Sequence, residues 1–505
     1  MRRSHLMLGI AVVLAVGAAS PGAQRPNVLF LAVDDLRPEL GCYGHPTIKS
    51  PNIDRLAAQG LLFERAYCQQ AVCAPSRISL LTGLRPDATG IYDLQHPLRK
   101  TKPDVLSMPQ YFKEHGYQTV SLGKIYHHAR DDNRIGWTQP AWRPKGGWTG
   151  RGYLDPESIR RIQPRDQAGG YPGVGPAYES PDVPDEAYPD GVTARKAVEE
   201  LRRLSRSDRP FFLAVGFLKP HLPFNAPRRW WDLYDRAAIH VPERNTWPDG
   251  MPPLAGTSWG ELRKYAGMPR KGPMPAAEAV NLIHGYYACV SYTDALVGKV
   301  LGELDRLGLR NNTVIILWGD HGWKLGDYGA WCKHTNFELD THVPLILSVP
   351  GQKTVGRRTQ ALVEFVDIFP TLAELCGLEV PAACEGASMV PLVADPNRPW
   401  KEAAFSQYPR GRAMGYSLRS GRWRYTEWID RRSGKRVARE LYDHAQSGVA
   451  QRNLASDPKF HDVVQRLSAL LDGGRGWRAV KQRLEANGAS AARGTCPHRC
   501  GRSGG

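Results

Sequence analysis

The sequence predicts an α/β protein: a large, mostly parallel sheet sandwiched by helices, followed by a smaller C-terminal α+β domain. Three observations carry this. Four apolar runs end abruptly in polar residues, helical periodicity fills the intervals between them, and the pattern changes to short strands after about residue 395. The runs cover residues 27–33, 119–122, 211–217 and 314–318. The first, third and fourth are almost wholly apolar, as expected of strands covered on both faces, and the second mixes Val and Leu with Thr and Ser. They hand over to Asp34-Asp35, Gly123-Lys124, Lys219-Pro220-His221 and Gly319-Asp320-His321. The clearest helix spans residues 280–307, where Ile283, Tyr287, Val290, Val297, Leu301 and Leu304 recur at helical spacing and Gly308 closes the run. Asp294 falls in that apolar row, so it is either a partnered buried acid or an interruption. Strands alternating with helices imply a parallel sheet, and such sheets bind ligands beyond the carboxyl ends of their strands. The four polar strand ends are therefore expected to meet in one cleft.

The chain has 505 residues, 42% of them hydrophobic and 23% charged, a balance that excludes a disordered chain and a multispan membrane protein. Arg2 and Arg3, an apolar stretch at 6–19 and small residues up to Ala23 form the layout of a cleaved signal peptide over 1–23. The apolar stretch is short for a bilayer span of about 20 residues. A secreted or periplasmic protein with no stable membrane insertion is expected, and the route, Sec or twin-arginine, stays open. The expected divisions are a catalytic domain at 24–395, a small C-terminal domain at 396–480 and a flexible tail at 481–505. Residues 137–190, rich in Gly, Pro and Trp, read as loops around the cleft. The net charge of +17 suits a polyanionic substrate. No nucleic-acid module is recognisable, so nucleic acid is not an expected partner. Of nine cysteines one must stay unpaired, which directs attention to Cys73; Cys376 and Cys384 flank a short turn and are a candidate disulfide, as are Cys496 and Cys500.

Cys73 opens the string Cys73-Ala74-Pro75-Ser76-Arg77, followed by Leu81-Thr82-Gly83. Pro75 suits the first turn of a helix, which places Cys73 at a helix N-terminus, where free N–H groups and the dipole favour an anion. Asp34, Asp35 and Asp320 are hard oxygen donors suited to Ca²⁺ or Mg²⁺, while His321 raises the alternative of zinc. Lys124, His127, His221 and Lys333 lie just past the strands and supply the cations and proton carriers that a negatively charged ester needs. His128 competes with His127 for its role.

The string Cys73-x-Pro75-x-Arg77 matches the signal read by enzymes that oxidise cysteine to formylglycine. In it the chain resembles the type I, formylglycine-dependent sulfatases of the alkaline-phosphatase superfamily. Longer strings resemble the iduronate-2-sulfatase-like branch: Asp34-Asp35-Leu36-Arg37-Pro38, Gly41-Cys42-Tyr43-Gly44, Gln69-Gln70-Ala71-Val72-Cys73, and Asp320-His321-Gly322-Trp323. The resemblance covers about residues 26–395, and the C-terminal domain only weakly. It implies an alkaline-phosphatase-like fold and hydrolysis of a sulfated saccharide, a 2-O-sulfated uronate in that branch. It also implies one Ca²⁺ held by Asp34, Asp35, Cys73, Asp320 and His321, and a formylglycine-generating or sulfatase-maturing partner. The aldehyde made from Cys73 hydrates, one hydroxyl attacks sulfur and the other expels the sulfate, so that one hard step becomes two easier ones. Arg77 and Lys124 then hold the formylglycine, His127 takes its proton, and His221 and Lys333 bind the sulfate and assist the leaving alcohol. Two further readings fit the residues less fully: a phosphatase or phosphodiesterase of the same superfamily, and a non-catalytic polyanion-binding protein.

Overall fold

The computed structural model describes residues 25–129, 131–144, 152–162, 174–445 and 447–493, with backbone alone for 487–493. The signal peptide expected over 1–23, and Cys496 and Cys500, lie outside the described residues.

The central sheet contains β1 (Asn27–Val33), β2 (Leu61–Tyr67), β3 (Gln118–Gly123), β4 (Phe211–Phe217), β5 (Thr313–Gly319), β6 (His342–Ser348) and β7 (Arg357–Thr359). Their order is β7-β2-β6-β5-β1-β4-β3, with Val363–Glu364 also paired to β2. The strands pair in parallel except at β6, which runs antiparallel to both β2 and β5. All seven residues of β1 are buried. Leu29, Leu31 and Val33 pack into one core, and Val28, Phe30 and Ala32 into another on the opposite face. A strand with two dry faces favours apolar side chains at nearly every position, which is why β1, β4 and β5 read as continuous runs, while β3 buries Thr119 and Ser121 beside Val120 and Leu122.

Four helices bear on the site: α1 (Pro51–Ala58), α2 (Cys73–Thr82), α3 (Pro189–Leu204) and α4 (Ala276–Arg306). The first core takes side chains from α3 and α4, and the second takes Ile78, Leu80 and Leu81 from α2. Gly308 follows α4 with φ +69°, the left-handed turn that ends the helix. Asp294 is a partnered acid: it accepts from the backbone N–H groups of Asn52 and Ile53 at 2.7–3.2 Å and so caps the start of α1.

A second, antiparallel sheet follows, made of β8 (Ala404–Arg410), β9 (Ala413–Ser420), β10 (Trp423–Asp430) and β11 (Arg436–Asp443). Helices α5 (His461–Leu471) and α6 (Trp477–Arg493) come after it. The tail expected from 481 is corrected here: α6 continues to Arg493, and Lys481 donates to the Cys384 carbonyl at 2.7 Å. The Cys376–Cys384 bridge is corrected too. All seven described cysteines are free and buried, Cys376 facing the Pro26 carbonyl and Cys384 packing against Gly83. The small sheet docks beside the segment that leads into α2: the Gln407 N–H donates to the Gln69 carbonyl at 2.7 Å, and Ser406 Oγ to the Cys68 carbonyl at 2.6 Å. No helix among the described residues is long and apolar enough to cross a membrane.

Candidate active site

The parallel ladder runs one step beyond the strands. The Asp34 N–H donates to the Phe217 carbonyl and the Asp320 N–H to the Val33 carbonyl, which fixes the two acidic strand ends side by side. Asp35 then turns into the left-handed region, φ 60°, and its N–H donates to Asp320 Oδ1 at 2.9 Å. Trp259 (φ 43°), Cys332 (φ 65°) and His334 (φ 87°) share this unfavourable backbone region, and all lie around the same cleft, where surrounding packing holds such strain.

Helix α2 begins at Cys73 after an extended Val72, so the sulfur lies where the helix presents its free N–H groups. Cys73 Sγ lies 3.5 Å from Asp34 Oδ1, 3.3 Å from His321 Nε2 and 3.5 Å from Lys124 Nζ. Burial first, then the Asp34 charge, pushes its thiol well above the ordinary range. Arg77, one helical turn on, is fully buried and donates Nε to Asp320 Oδ2 at 2.8 Å and Nη2 to Asp34 Oδ1 at 3.0 Å. Its Nη1 donates to the carbonyls of Lys124 (2.5 Å) and Ile125 (3.1 Å). One guanidinium therefore ties α2 to the ends of β1, β3 and β5.

Burial opposes ionisation of Asp34, but Lys124, which donates Nζ to its Oδ2, and Arg77 outweigh it and hold the carboxyl well below its usual range. Asp35 behaves oppositely. Burial dominates there despite Lys333, and its pKa rises to about 7. Ligand atoms of Asp34, Asp35, Cys73 and His321 lie within 4.8 Å of one another. Asp320 borders this group, with Oδ2 3.6 Å from His321 Nε2, while Arg77 and the Asp35 N–H occupy its oxygens. Buried carboxylates with a single imidazole suit a hard cation such as Ca²⁺, and a thiol held protonated is a poor zinc ligand. The donor set fits the calcium ion that the resemblance implies.

The opposite wall carries Lys333 and His221. Lys333 Nζ lies 3.1 Å from both oxygens of Asp35, and Asp35 with Glu261 keeps it protonated against burial. His221 Nε2 is 3.8 Å from Asp35 Oδ2, and its Nδ1 is 2.6 Å from the Leu222 carbonyl. Burial, then Lys333, lowers its pKa. His127 lies within reach of the Asp34 and Lys124 charges, and burial followed by Lys124 pushes its pKa down to about 2. His128 stands edge-on to it at 5.0 Å. Lys219 turns its Nζ toward the His221 and Pro223 carbonyls and braces that loop.

One group in the cleft escaped the sequence. Glu261 lies 3.2 Å from His221 Nε2, 2.9 Å from Lys333 Nζ and 3.3 Å from His334 Nε2. It comes from an aperiodic loop rather than a strand end, and no residue near it signals chemistry. His334 in turn meets the Tyr408 hydroxyl at 3.0 Å, which brings β8 of the small sheet to the rim. Glu261→Gln keeps the shape and removes the charge that orients Lys333 and His221. It is expected to lower kcat/KM about 10- to 100-fold, as loss of an orienting partner does, with little change in melting temperature. An unchanged kcat/KM would show that Glu261 only lines the cleft.

The sequence profile of the sulfatase family matches residues 26–378, most of the chain. The chain belongs to the sulfatase family. A second profile, described as the C-terminal part of N-sulphoglucosamine sulphohydrolase, matches residues 326–475 of this sulfatase. It is 35% identical to human iduronate 2-sulfatase, covering 92% of this chain and 98% of that one. It is 31% identical to a sulfatase of Formosa agariphila, covering 93% and 91%. Among solved structures its fold is similar to BT4656 in complex with its substrate D-glucosamine-2-N,6-O-disulfate (TM-score 0.71, 20% identity, 90% of this chain and 98% of that one). It is equally similar to the phosphonate monoester hydrolase of Agrobacterium radiobacter (TM-score 0.71, 21% identity, 90% and 96%). The expected alkaline-phosphatase-like α/β fold is therefore found, and the enzyme is a sulfuric ester hydrolase.

Proposed function

We propose that this sulfatase hydrolyses the sulfate ester of a sulfated sugar, a 2-O-sulfated uronate first among candidates, using a formylglycine hydrate made from Cys73 and one Ca²⁺. The observation that carries the reading is the setting of Cys73: a helix N-terminus with a lysine at 3.5 Å, a carboxylate at 3.5 Å and an imidazole at 3.3 Å from one sulfur. The substrate class is supported by the relatives, among them an iduronate 2-sulfatase. Asp34, Asp35, Asp320 and His321, with residue 73, would hold the calcium, which supplies positive charge against the sulfate and the nucleophilic oxygen.

The chain's own groups divide the remaining work. Arg77 fixes Asp34 and Asp320 in register with α2. Lys124 faces the residue-73 side chain and favours negative charge on it. Burial and Lys124 keep His127 neutral, the form that can take a proton from that side chain. On the other wall Lys333 binds a sulfate oxygen. His221 faces two acceptors, the Leu222 carbonyl and Glu261, and Glu261 favours its protonated form against burial and Lys333, so that it can pass a proton to a leaving alkoxide.

A formylglycine-generating or sulfatase-maturing partner enzyme, export through the N-terminal segment, and a catalytic domain at 24–395 with a small domain at 396–480 complete the reading. It is tested by a panel of defined sulfated mono- and disaccharides beside phosphate and phosphonate monoesters, with protein made in a host that generates formylglycine. Sulfate release from at least one saccharide, faster than any phosphoester, is expected; faster phosphonate or phosphate hydrolysis would overturn it. Chelation is expected to abolish sulfate release and to lower the melting temperature, since an ion bound only to the folded state stabilises it by mass action. Added Ca²⁺ should restore both, whereas restoration by Zn²⁺ alone would assign the site to a different metal.

A further inference from the structure

Arg143 stands beside the catalytic wall in a setting the reaction described above does not use. Trp142 pairs with the end of β3: its N–H donates to the Ser121 carbonyl and its carbonyl accepts from the Gly123 N–H, both at 2.9 Å, so the backbone that carries Arg143 is fixed by the sheet. Arg143 Nη2 donates to the Tyr126 carbonyl at 2.6 Å and the His127 carbonyl at 3.3 Å. Arg77 takes the two preceding carbonyls, those of Lys124 and Ile125. Two guanidinium groups thus grip consecutive carbonyls of the segment that presents Lys124 and His127.

The two arginines differ in their other nitrogens. Arg77 spends Nε and Nη2 on the carboxylates of Asp320 and Asp34. Arg143 makes no ion pair among the described residues, and its Nε and Nη1 bond to no described residue. Burial first, then the repulsion of Arg77, brings its pKa down to about 10 against the more distant charges of Asp34 and Asp131, so the cation is held close to the site with no carboxylate paired to it among the described residues. A half-buried guanidinium with no counterion among the described residues is unfavourable, and its Nε and Nη1 hydrogens are left to donate to the oxygens of a carboxylate or a sulfate.

We propose that Arg143 is a specificity residue that receives a second anionic group of the substrate, a carboxylate or a further sulfate on the sugar that carries the scissile ester. This rests on the sulfated-sugar reading. It adds a reason why a substrate with two negative groups outpaces one with a single group.

The test measures kcat and KM for the wild type, Arg143→Ala and Arg143→Lys on three substrates. These are a 2-O-sulfated uronate disaccharide, a glucosamine with two sulfates, and 4-nitrophenyl sulfate, which has no second anion. For the sugar whose second anion meets Arg143, Arg143→Ala should lower kcat/KM about 10- to 100-fold, mainly through KM, as loss of a charge-assisted contact does. Arg143→Lys should recover part of it, and which of the two sugars suffers identifies the anion. The aryl sulfate should change by no more than about 3-fold, because only binding of the absent group is lost. Equal losses on all three substrates would mean that Arg143 merely supports the Lys124–His127 segment, and no loss on either sugar would mean that it meets no substrate; both overturn the inference while leaving the sulfatase reading intact. A wild type that cleaves only the aryl sulfate would instead overturn the sugar reading and this inference with it. Melting temperatures of the variants separate misfolding from lost binding.

Discussion

Cys73→Ala is expected to remove sulfate release almost entirely, by on the order of 10⁴-fold or more in kcat, the scale seen when a covalent nucleophile is deleted. The fold should survive. The thiol is buried and contacts charged groups rather than a large apolar neighbourhood, and the helix it begins is anchored by Arg77 and by Ser76, whose Oγ donates to the Asp320 carbonyl at 2.5 Å. Far-UV circular dichroism and the melting temperature of the variant should therefore match the wild type within a few degrees, while turnover of every sulfate ester disappears. Residual turnover within tenfold of the wild type would place the nucleophile elsewhere, because the other hydroxyl in the first turn of α2, Ser76 Oγ, is committed to the Asp320 carbonyl.

The second large effect falls on stability. Arg77 is fully buried between Asp34 and Asp320, and its removal takes away the one guanidinium that bridges these two buried carboxylates, Asp34 keeping Lys124 and Asp320 the Asp35 N–H. Breaking a buried ion pair by deleting one partner costs about 3–5 kcal/mol. Against a total of about 5–15 kcal/mol for a typical domain, that is a large share. Arg77→Ala should lower the urea midpoint sharply and leave little soluble enzyme, with no measurable activity in what remains. Arg77→Lys keeps the charge but cannot reach Asp34, Asp320 and the Lys124 and Ile125 carbonyls together. It should fold better than the alanine variant and still lose most activity. A urea midpoint for Arg77→Ala equal to that of the wild type would contradict the buried network described here.

The parts of this molecule that were legible in its sequence share one physical property: their residues are constrained by neighbours on every side. β1, β4 and β5 are buried on both faces, so their apolar runs are nearly unbroken, and the polar residues at the carboxyl ends of these strands and of β3 mark Asp34, Asp35, Lys124, His221, Asp320 and His321. β2 was harder to read because Glu64 and Arg65 interrupt its burial, and β6 because Pro344 lies at an irregularity in its pairing with β2. β8 carries Pro409, whose missing N–H a sheet edge tolerates, so its run does not look like a strand. Glu261 was invisible for a different reason. An orienting carboxylate from an aperiodic loop has no spacing to betray it, and only the folded chain places it 2.9 Å from Lys333. Arg143 is similar, since its significance lies in the partners it lacks and not in any pattern around it.

The central claim is that residue 73 of the active enzyme is an aldehyde. Mass spectrometry of the peptide spanning Cys73, taken from enzyme purified from its native host and assayed for sulfate release in the same preparation, tests it most directly. The account requires the formylglycine mass, in a proportion that rises and falls with specific activity. Full activity in a preparation whose Cys73 retains an unmodified thiol would contradict it.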